Sequence, residues 1–244
     1  MLPLLGSIEL DKINQHFLYL VGGGALFAVG NACGFKVLSH LDAGFGSILG
    51  TLGTIFTIIF AGIFLNEELS LQQAAGSIIL LGAICYGLLV ARQHHKGKKN
   101  HRAWLWGFIF AVISGFFIGL ALVNEKYLLG HMNTSTVLFY VIGAQMVSSL
   151  LLGAILEPKG YKLVRDKAVM KLNIFAGSLR SVAAVLFVLA LVKSNNVAVI
   201  GVIENFRLVI IIMLAAILLK ERDKLGQKFV AACGAIAGLA IIFW

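Results

Sequence analysis

The sequence predicts an all-α membrane protein with about eight transmembrane helices, and three observations support this fold class. Of the 244 residues, 59% are hydrophobic and only 13% are charged, whereas about 25% of the residues of an ordinary soluble domain are charged. The apolar residues form long runs instead of the strict alternation that marks the strands of a membrane β-barrel. The chain also contains only two prolines, which favours continuous helices.

Each apolar run is about as long as a helix that crosses a bilayer, which needs roughly 20 apolar residues. We predict spans at 16–36, 43–65, 71–91, 103–123, 135–156, 172–193, 196–218 and 227–244. The linkers between them are short, so consecutive helices are expected to run antiparallel within one bundle.

Positive charge is distributed unequally between the two ends of the predicted spans. Most of the 20 Lys and Arg residues lie in loops at the end of the bundle that the chain reaches after its first span; we call this end the basic side. Only Lys12, Lys126 and Lys193 lie at the other end, which we call the opposite side. Short loops rich in Lys and Arg remain in the cytoplasm. We therefore predict an integral protein of the plasma or inner membrane, with cytoplasmic basic loops and both termini outside.

A short acidic motif occurs twice, each time between a long apolar run and the last span of one half of the chain. The first copy is 65–69 (LNEEL) followed by Gln73, and the second is 219–223 (LKERD) followed by Gln227. The first half then holds three spans and the second half five. An odd number of spans per half gives the halves opposite orientations, which predicts an inverted repeat. The predicted division is a first repeat at 1–91, a basic linker loop at 92–102 and a second repeat at 103–244.

The chain resembles the EamA-like transporters of the drug/metabolite transporter superfamily, and these two motifs carry the resemblance. The first half shows the helix end, acidic turn and glycine-rich helix of that family at 64–70 with Gln73, Gly76 and Gly82. The second half is less similar, because Val230 stands where a glycine is expected. The family typically has two repeats of five helices, so this chain looks like the family without its first two helices. A mis-assigned start of the reading frame and a natural eight-span variant are the two explanations.

The charged and amide residues inside two predicted spans are the main candidates for a substrate site. Arg180, Glu204, Asn205 and Arg207 lie within apolar runs, where a charge costs about 2.5–3.5 kcal/mol and persists when it is paired or faces water. Glu204 and Arg207 share one helix face, and the helical rise places Arg180 nearly level with Arg207 when the two helices are antiparallel. Because guanidinium groups bind carboxylate and phosphate, we expect an anionic or zwitterionic substrate. A closed ion-pair network that only fixes packing, and a proton-carrying role for Glu204, are the alternatives.

Two amides, Asn31 and Gln145, are secondary candidates for the same site. A single amide in a membrane helix often bonds to a neighbouring helix instead, so both interpretations stay open. Glycine pairs at 46/50, 115/119 and 234/238 place small residues on one helix face, and we expect close helix approach there.

The resemblance implies a multi-pass secondary transporter that moves a small metabolite by alternating access. The alternatives are a truncated membrane fragment that does not transport and a helical membrane scaffold. An enzyme is not expected, because the chain has no P-loop, HExxH or GxSxG motif, and we expect neither a cofactor nor a metal. The expected partners are the lipid bilayer, a small-molecule substrate and a second copy of the chain in a homodimer. The net charge of +9 comes largely from the loops, so binding to nucleic acid is not expected.

Overall fold

The computed structural model describes residues 9, 11–66, 68, 70–94, 98–156, 166–171, 174–175, 177–179, 182, 207–218 and 225–243. The helices discussed below are α1 (Ile13–His40), α2 (Ala43–Gly50), α3 (Leu52–Phe64), α4 (Leu71–His94), α5 (Lys98–Leu129), α6 (Thr134–Leu156), α7 (Arg207–Leu218) and α8 (Leu225–Phe243). Within the described residues, six helical segments are long and apolar enough to cross a membrane, with α2 and α3 counted as one. The prediction of an all-α, multi-pass membrane protein is confirmed.

Six of the eight predicted spans coincide with these six segments. They are the first five predicted spans and the last one, which ends the chain as α8. The predicted span 196–218 is described only from Arg207 onward, as the short helix α7, and most of 172–193 lies outside the described residues. The total of eight therefore stays a prediction.

Two helices extend into the segment that we predicted as a basic linker loop. α4 continues to His94, and α5 begins at Lys98. The two helices therefore cover 92–94 and 98–102 of the predicted linker between the repeats. The physical reason is helix propensity, because Lys, Arg and Gln favour helices and the segment contains a single glycine and no proline.

The span formed by α2 and α3 is interrupted at Thr51. The Thr51 N–H donates a hydrogen bond to the Ile48 carbonyl at 3.2 Å, and the Thr51 hydroxyl donates to the same carbonyl at 2.6 Å. A backbone bond between residues three apart is 3₁₀ geometry, and hydroxyl groups that bond back to the helix backbone often bend helices. A break in this span thus arises without a proline.

Close helix crossings hold the bundle together, and glycine lies at several of them. A Cβ atom placed on Gly119 of α5 would lie 2.7 Å from the Phe56 Cβ of α3. A Cβ atom on Gly238 of α8 would lie 2.7 Å from the Leu80 backbone nitrogen of α4. The prediction of close approach is confirmed for the glycine pairs on α5 and α8, but it is wrong for Gly50, which has no neighbour within 4 Å.

The described helix pairs mostly join the first half of the chain to the second half. α1 packs against α5 and α6, α3 packs against α5, and α4 packs against α8. α4 and α8 run antiparallel, because Gly76 near the start of α4 lies beside Ile242 near the end of α8, and Gly87 lies beside Ala231. An antiparallel pair of this kind is what two halves of opposite orientation require.

The chain that enters α1 is tied to the turn between α5 and α6. The Glu9 carboxylate accepts hydrogen bonds from the Asn133 N–H at 3.0 Å and from the Lys12 ammonium at 3.3 Å, and the Glu9 N–H donates to the Thr136 hydroxyl at 2.9 Å. The bond from Asn133 and the neighbouring Lys12 lower the pKa of the Glu9 carboxyl below its usual value, because hydrogen bonds to the ionised form favour it. α1 and α6 therefore start at the same level on the opposite side and run parallel.

The first copy of the acidic motif is built from two helix ends. Asn66 follows the end of α3 with a φ of 51°, a left-handed conformation that asparagine adopts more readily than most residues. Ser70 then caps α4, because its hydroxyl accepts from the Gln73 N–H at 3.1 Å while the Gln73 side-chain oxygen accepts from the Ser70 N–H at 3.1 Å. This reciprocal pair is a capping box. The capping role of the Gln73 side chain explains why the motif contains a glutamine at this position.

Candidate functional site

A cavity of about 490 Å³ lies between the second halves of α1 and α6, and we call it the α1–α6 cavity. Small-molecule sites commonly measure about 300–1,000 Å³. Most of its lining is apolar and includes Phe110 of α5. The polar lining groups are the Asn31 amide, the Cys33 thiol, the Lys36 ammonium and the Ser149 hydroxyl.

The packing of α1 against α6 explains why the cavity opens toward the basic side. In the first halves of these helices, a Cβ atom on Gly24 would lie 2.5 Å from both the Ala144 Cβ and the Gln145 backbone nitrogen, so the two backbones nearly touch. Asn31 lies seven residues further along α1, a distance of about 10 Å. On the same face of α1, the large Phe35 side chain lies about three turns beyond Gly24 and lines the cavity.

Both helices contribute one continuous face to the cavity. On α1 this face consists of Ala28, Asn31, Ala32 and Phe35, with Cys33 and Lys36 beside it, and on α6 it consists of Ser149, Leu152, Gly153 and Leu156. Both sets follow the i, i+3, i+4, i+7 spacing that places residues on one side of a helix. This spacing is visible in the sequence, but it does not predict that the two helix faces lie opposite each other.

The two predicted amides have different positions. Asn31 lines the α1–α6 cavity, and within the described part of the chain no hydrogen bond joins its amide to another side chain. Gln145 is half-buried one turn before Ser149, at the level where α1 and α6 touch, and it is not among the residues that line the cavity. The structure therefore brings Asn31, and not Gln145, to the cavity wall.

The predicted charged cluster falls largely outside the described residues. Arg180, Glu204 and Asn205 lie in the part of the chain that the structure does not describe. Arg207 is the first residue of α7, and its side chain is also outside the description. The cluster stays a prediction.

Lys36 is a lining residue that our reasoning from sequence missed. We counted it only among the basic residues that set topology, because it lies near the end of a predicted span. Its side chain is exposed at the basic side of the cavity, one and a half turns beyond Asn31. Together with the Asn31 amide and the Ser149 hydroxyl, its ammonium group fits a ligand that carries an anionic group on an apolar body.

A buried ion pair lies at the same end of the bundle, outside the cavity. The Lys228 side chain is 1% exposed, and its Nζ atom lies 3.0 Å from Asp42 Oδ2 and 5.0 Å from the centre of the Phe45 ring. Asp42 immediately precedes α2, and Lys228 belongs to the first turn of α8. The pair therefore joins the two halves of the chain at the basic side. Lys228 lies at the start of the predicted span 227–244, but the charge pattern does not indicate that its side chain is buried in an ion pair.

Comparison with known proteins identifies the family to which this bundle belongs. The chain matches the model of the EamA-like transporter family over residues 1–88 and 105–244. No curated protein and no solved structure matches it in the corresponding comparisons. The family match covers most of the chain and agrees with the apolar helices that the structure describes. The chain belongs to the EamA-like transporter family and is a multi-pass membrane transporter of the drug/metabolite type.

Proposed function

We propose that this protein is a secondary transporter that moves a small metabolite by alternating access, and that the α1–α6 cavity is part of its substrate path. The position of the cavity carries this proposal. α1 belongs to the first half of the chain and α6 to the second half, so the cavity lies between the two proposed repeats. Substrate sites of transporters with inverted repeats lie at the repeat interface, where motion of one repeat against the other changes access.

The lining of the cavity supports an anionic or zwitterionic substrate with an apolar body. The Lys36 ammonium provides one positive charge, and the Asn31 amide and Ser149 hydroxyl provide hydrogen bonds. A few polar groups in an otherwise apolar pocket fix the orientation of a ligand. Phe110 provides an aromatic surface for the apolar part.

The predicted charged residues are proposed to complete the site from the second half of the chain. Arg180 and Arg207 would bind the anionic group of the substrate, with Glu204 and Asn205 beside them. Gln145 stays a proposed secondary member of the site, although it lies one turn before Ser149 and outside the cavity lining. The basic side is proposed to be cytoplasmic, so that the cavity is reached from the cytoplasm, and we expect a homodimer in the membrane.

Transport by the purified chain tests this proposal. The chain is reconstituted into proteoliposomes, and uptake of radiolabelled amino acids, organic acids, nucleotides and organic cations is measured by counterflow. We expect saturable uptake of an anionic or zwitterionic compound. Asn31→Ala should raise KM by about tenfold, the effect of losing one hydrogen bond to a charged group. Gly153→Trp should abolish uptake, because the indole ring fills the cavity.

Matched variants show whether these effects belong to the cavity. Gly143 lies on α6 and, like Gly153, has no neighbour within 4 Å, but it does not line the cavity, so Gly143→Trp should transport normally. Uptake that survives Gly153→Trp would exclude the α1–α6 cavity from the substrate path. Normal uptake by Arg180→Ala and Glu204→Gln would remove the charged cluster from the site. A folded chain that transports none of the four classes would support a scaffold or an inactive fragment.

A further inference from the structure

Two histidines from different parts of the chain meet at the opposite side of the bundle. His16 belongs to the first turn of α1, and His131 lies in the turn between α5 and α6. Their ring centres are 5.4 Å apart, and their ring planes are inclined by 43°. His131 is exposed and His16 is half-buried, so dissolved ions reach them from water. We call these two residues the His16–His131 pair. The sequence does not indicate this pairing, because the two histidines lie far apart in the chain.

In both histidines the same ring nitrogen is already engaged. His16 Nδ1 lies 3.3 Å from the Lys12 carbonyl oxygen, and His131 Nδ1 lies 2.8 Å from the Tyr127 carbonyl oxygen. A carbonyl oxygen only accepts hydrogen bonds, so Nδ1 must carry the proton, and a neutral ring then has its lone pair on Nε2. Within the described part of the chain, no hydrogen bond engages either Nε2 atom. Both lone pairs are therefore available.

This arrangement is the one that histidine ligands of metal ions adopt. Such a histidine almost always donates its other ring N–H to a carboxylate, a backbone carbonyl or water, which fixes the ring and makes the ligating nitrogen more basic. In His16 and His131 the acceptor is the backbone carbonyl of the residue four positions earlier. Both rings are thus held with Nε2 as the ligating atom.

The separation of the two rings fits a single metal ion. Zinc–imidazole bonds measure about 2.0–2.1 Å, so two imidazoles on one tetrahedral ion have ring centres roughly 5 Å apart. The observed 5.4 Å agrees with that value. The Tyr127 ring packs against both histidines, with its centre 4.4 Å from that of His131 and 6.3 Å from that of His16. Binding of one ion therefore requires little movement of the rings.

The charges beside the pair offset each other. The Lys12 ammonium donates to the His131 carbonyl at 3.1 Å and lies 3.3 Å from Glu9 Oε1, while Glu9 Oε2 accepts from the Asn133 N–H at 3.0 Å. Both oxygens of Glu9 are thus engaged elsewhere. In the residues that the structure describes, no group of three or more His, Cys, Asp or Glu side chains is placed to hold a metal. An ion at the pair would therefore have two protein ligands and water in its other positions.

We propose that the His16–His131 pair binds a divalent transition-metal ion of the class of Zn²⁺ through its two Nε2 atoms. Imidazole suits zinc, copper and nickel, whereas magnesium prefers oxygen ligands. The ion joins the start of α1 to the turn between α5 and α6, a connection that Glu9 also makes. The site lies outside the α1–α6 cavity and does not depend on the proposed transport path.

Calorimetric titration of the purified full chain in detergent, without a polyhistidine tag, tests this proposal with Zn²⁺ and Mg²⁺ as probes. His94, His95 and His101 are first replaced by glutamine, because these three histidines can also bind Zn²⁺. We expect one Zn²⁺ per chain and no binding of Mg²⁺. His16→Ala and His131→Ala should each weaken Zn²⁺ binding at least about tenfold, because changing a group that only orients a ligand already costs about 10–100-fold.

A matched variant and a spectroscopic count separate ligation from folding. His40 lies at the other end of α1, and its ring stacks on Phe110 with the centres 5.9 Å apart, so His40→Ala should leave Zn²⁺ affinity unchanged. With Cu²⁺ in place of Zn²⁺, pulsed electron paramagnetic resonance should detect two imidazole ligands in the parent chain. It should detect one in His16→Ala and one in His131→Ala. Circular dichroism and size-exclusion chromatography confirm that each variant is folded.

Several outcomes would overturn the proposal. Two Zn²⁺ ions per chain, of which each single variant loses one, would mean that His16 and His131 bind separate ions. Zn²⁺ affinity that is unchanged in both variants, or reduced equally by His40→Ala, would remove the pair as the site. Binding of Mg²⁺ with the affinity of Zn²⁺ would contradict imidazole ligation. None of these results bears on uptake through the α1–α6 cavity, so the two proposals fail separately.

Discussion

Lys228 is the one charged side chain among the described residues that is buried, and its neighbours explain how the charge is tolerated. The Asp42 carboxylate lies 3.0 Å from the ammonium group, and the Phe45 ring lies 5.0 Å from it. The alkyl chain of Lys228 passes next to Gly44, where a Cβ atom would lie 3.2 Å from the Lys228 Cδ atom. A glycine at that position therefore leaves room for the lysine.

The first prediction concerns the removal of one member of this pair. Asp42→Ala should lower the free energy of unfolding by about 3 kcal/mol, because it leaves a buried ammonium group without its carboxylate. Adding Lys228→Met to Asp42→Ala should recover part of this loss, because the buried charge is then gone and the apolar chain is retained. Denaturant unfolding of the two variants in detergent measures the difference.

An exposed ion pair in the same chain provides the control. Lys12 and Glu9 lie 3.3 Å apart with side chains that are 47% and 32% exposed, and Lys12→Met should change stability by less than about 1 kcal/mol. If the double variant at Asp42 and Lys228 is less stable than Asp42→Ala alone, the burial of the charge is not what makes the single variant costly.

These residues also show what a sequence reveals about a site. Asn31 was identified because an amide is unusual inside an apolar run, and it does line a cavity. Lys36 and Lys228 were missed as specific residues, because a basic residue near a span end looks like any other topology signal. The partner of Lys228 is 186 positions away in the chain. Only the packed bundle shows that they meet.

At the level of helices, apolar run length predicted most elements well, whereas their ends depended on local chemistry. The break at Thr51 comes from a hydroxyl group that bonds to Ile48, and no periodicity in the run marks it. In the acidic motif at 65–69, by contrast, the residues that determine the helix ends can be recognised in the sequence. Asn66 and the Ser70–Gln73 pair have local roles in ending one helix and starting the next, so a recognisable motif here reflects helix geometry as much as function.

The second prediction concerns the crossing of α4 and α8. A Cβ atom on Gly238 would lie 2.7 Å from the Leu80 nitrogen and 2.8 Å from the Gly76 carbonyl oxygen. Both are backbone atoms, so the two helices must separate to admit a methyl group. Gly238→Ala should therefore lower the free energy of unfolding by about 1–3 kcal/mol, the usual cost of overpacking, as measured by denaturant unfolding.

Gly82 on α4 provides a matched comparison in the same helix pair. It has no neighbour within 4 Å, so Gly82→Ala should be neutral or stabilise the protein by up to about 1 kcal/mol, because alanine loses less backbone entropy on folding. Equal effects of the two substitutions would mean that helix propensity, and not the close crossing, determines the role of glycine here.

At the scale of the whole molecule, the two halves interlock through their helices. α1, α3 and α4 each pack against a helix of the second half, and the α1–α6 cavity lies between the halves. The duplicated motif and the count of spans predicted opposite orientations for the halves, and the antiparallel packing of α4 and α8 fits that prediction. The sequence does not indicate which helix faces pack against each other, because an apolar face can pack against any other apolar face. The joining of Asn31 to Ser149 in one cavity is the clearest example.

The third prediction concerns the orientation of this bundle in the membrane. The excess of Lys and Arg at the basic side predicts that this side is cytoplasmic. The three native cysteines, Cys33, Cys85 and Cys233, are first replaced by serine, and a single cysteine is then introduced at Asp11 or at Asp166. Both positions are exposed, and they lie on the opposite side and the basic side, respectively. In intact cells, a membrane-impermeant maleimide should label Asp11→Cys, and it should label Asp166→Cys only after permeabilisation.

The orientation decides from which side of the membrane a substrate reaches the α1–α6 cavity. With the basic side in the cytoplasm, the cavity is reached from the cytoplasm. The reverse labelling pattern would mean that the cavity is reached from outside and would contradict the charge argument. Labelling of both cysteines in intact cells would mean that the chain inserts in both orientations, a result that would also contradict it. The cysteine-free protein, treated in the same way, provides the background signal against which all three patterns are read.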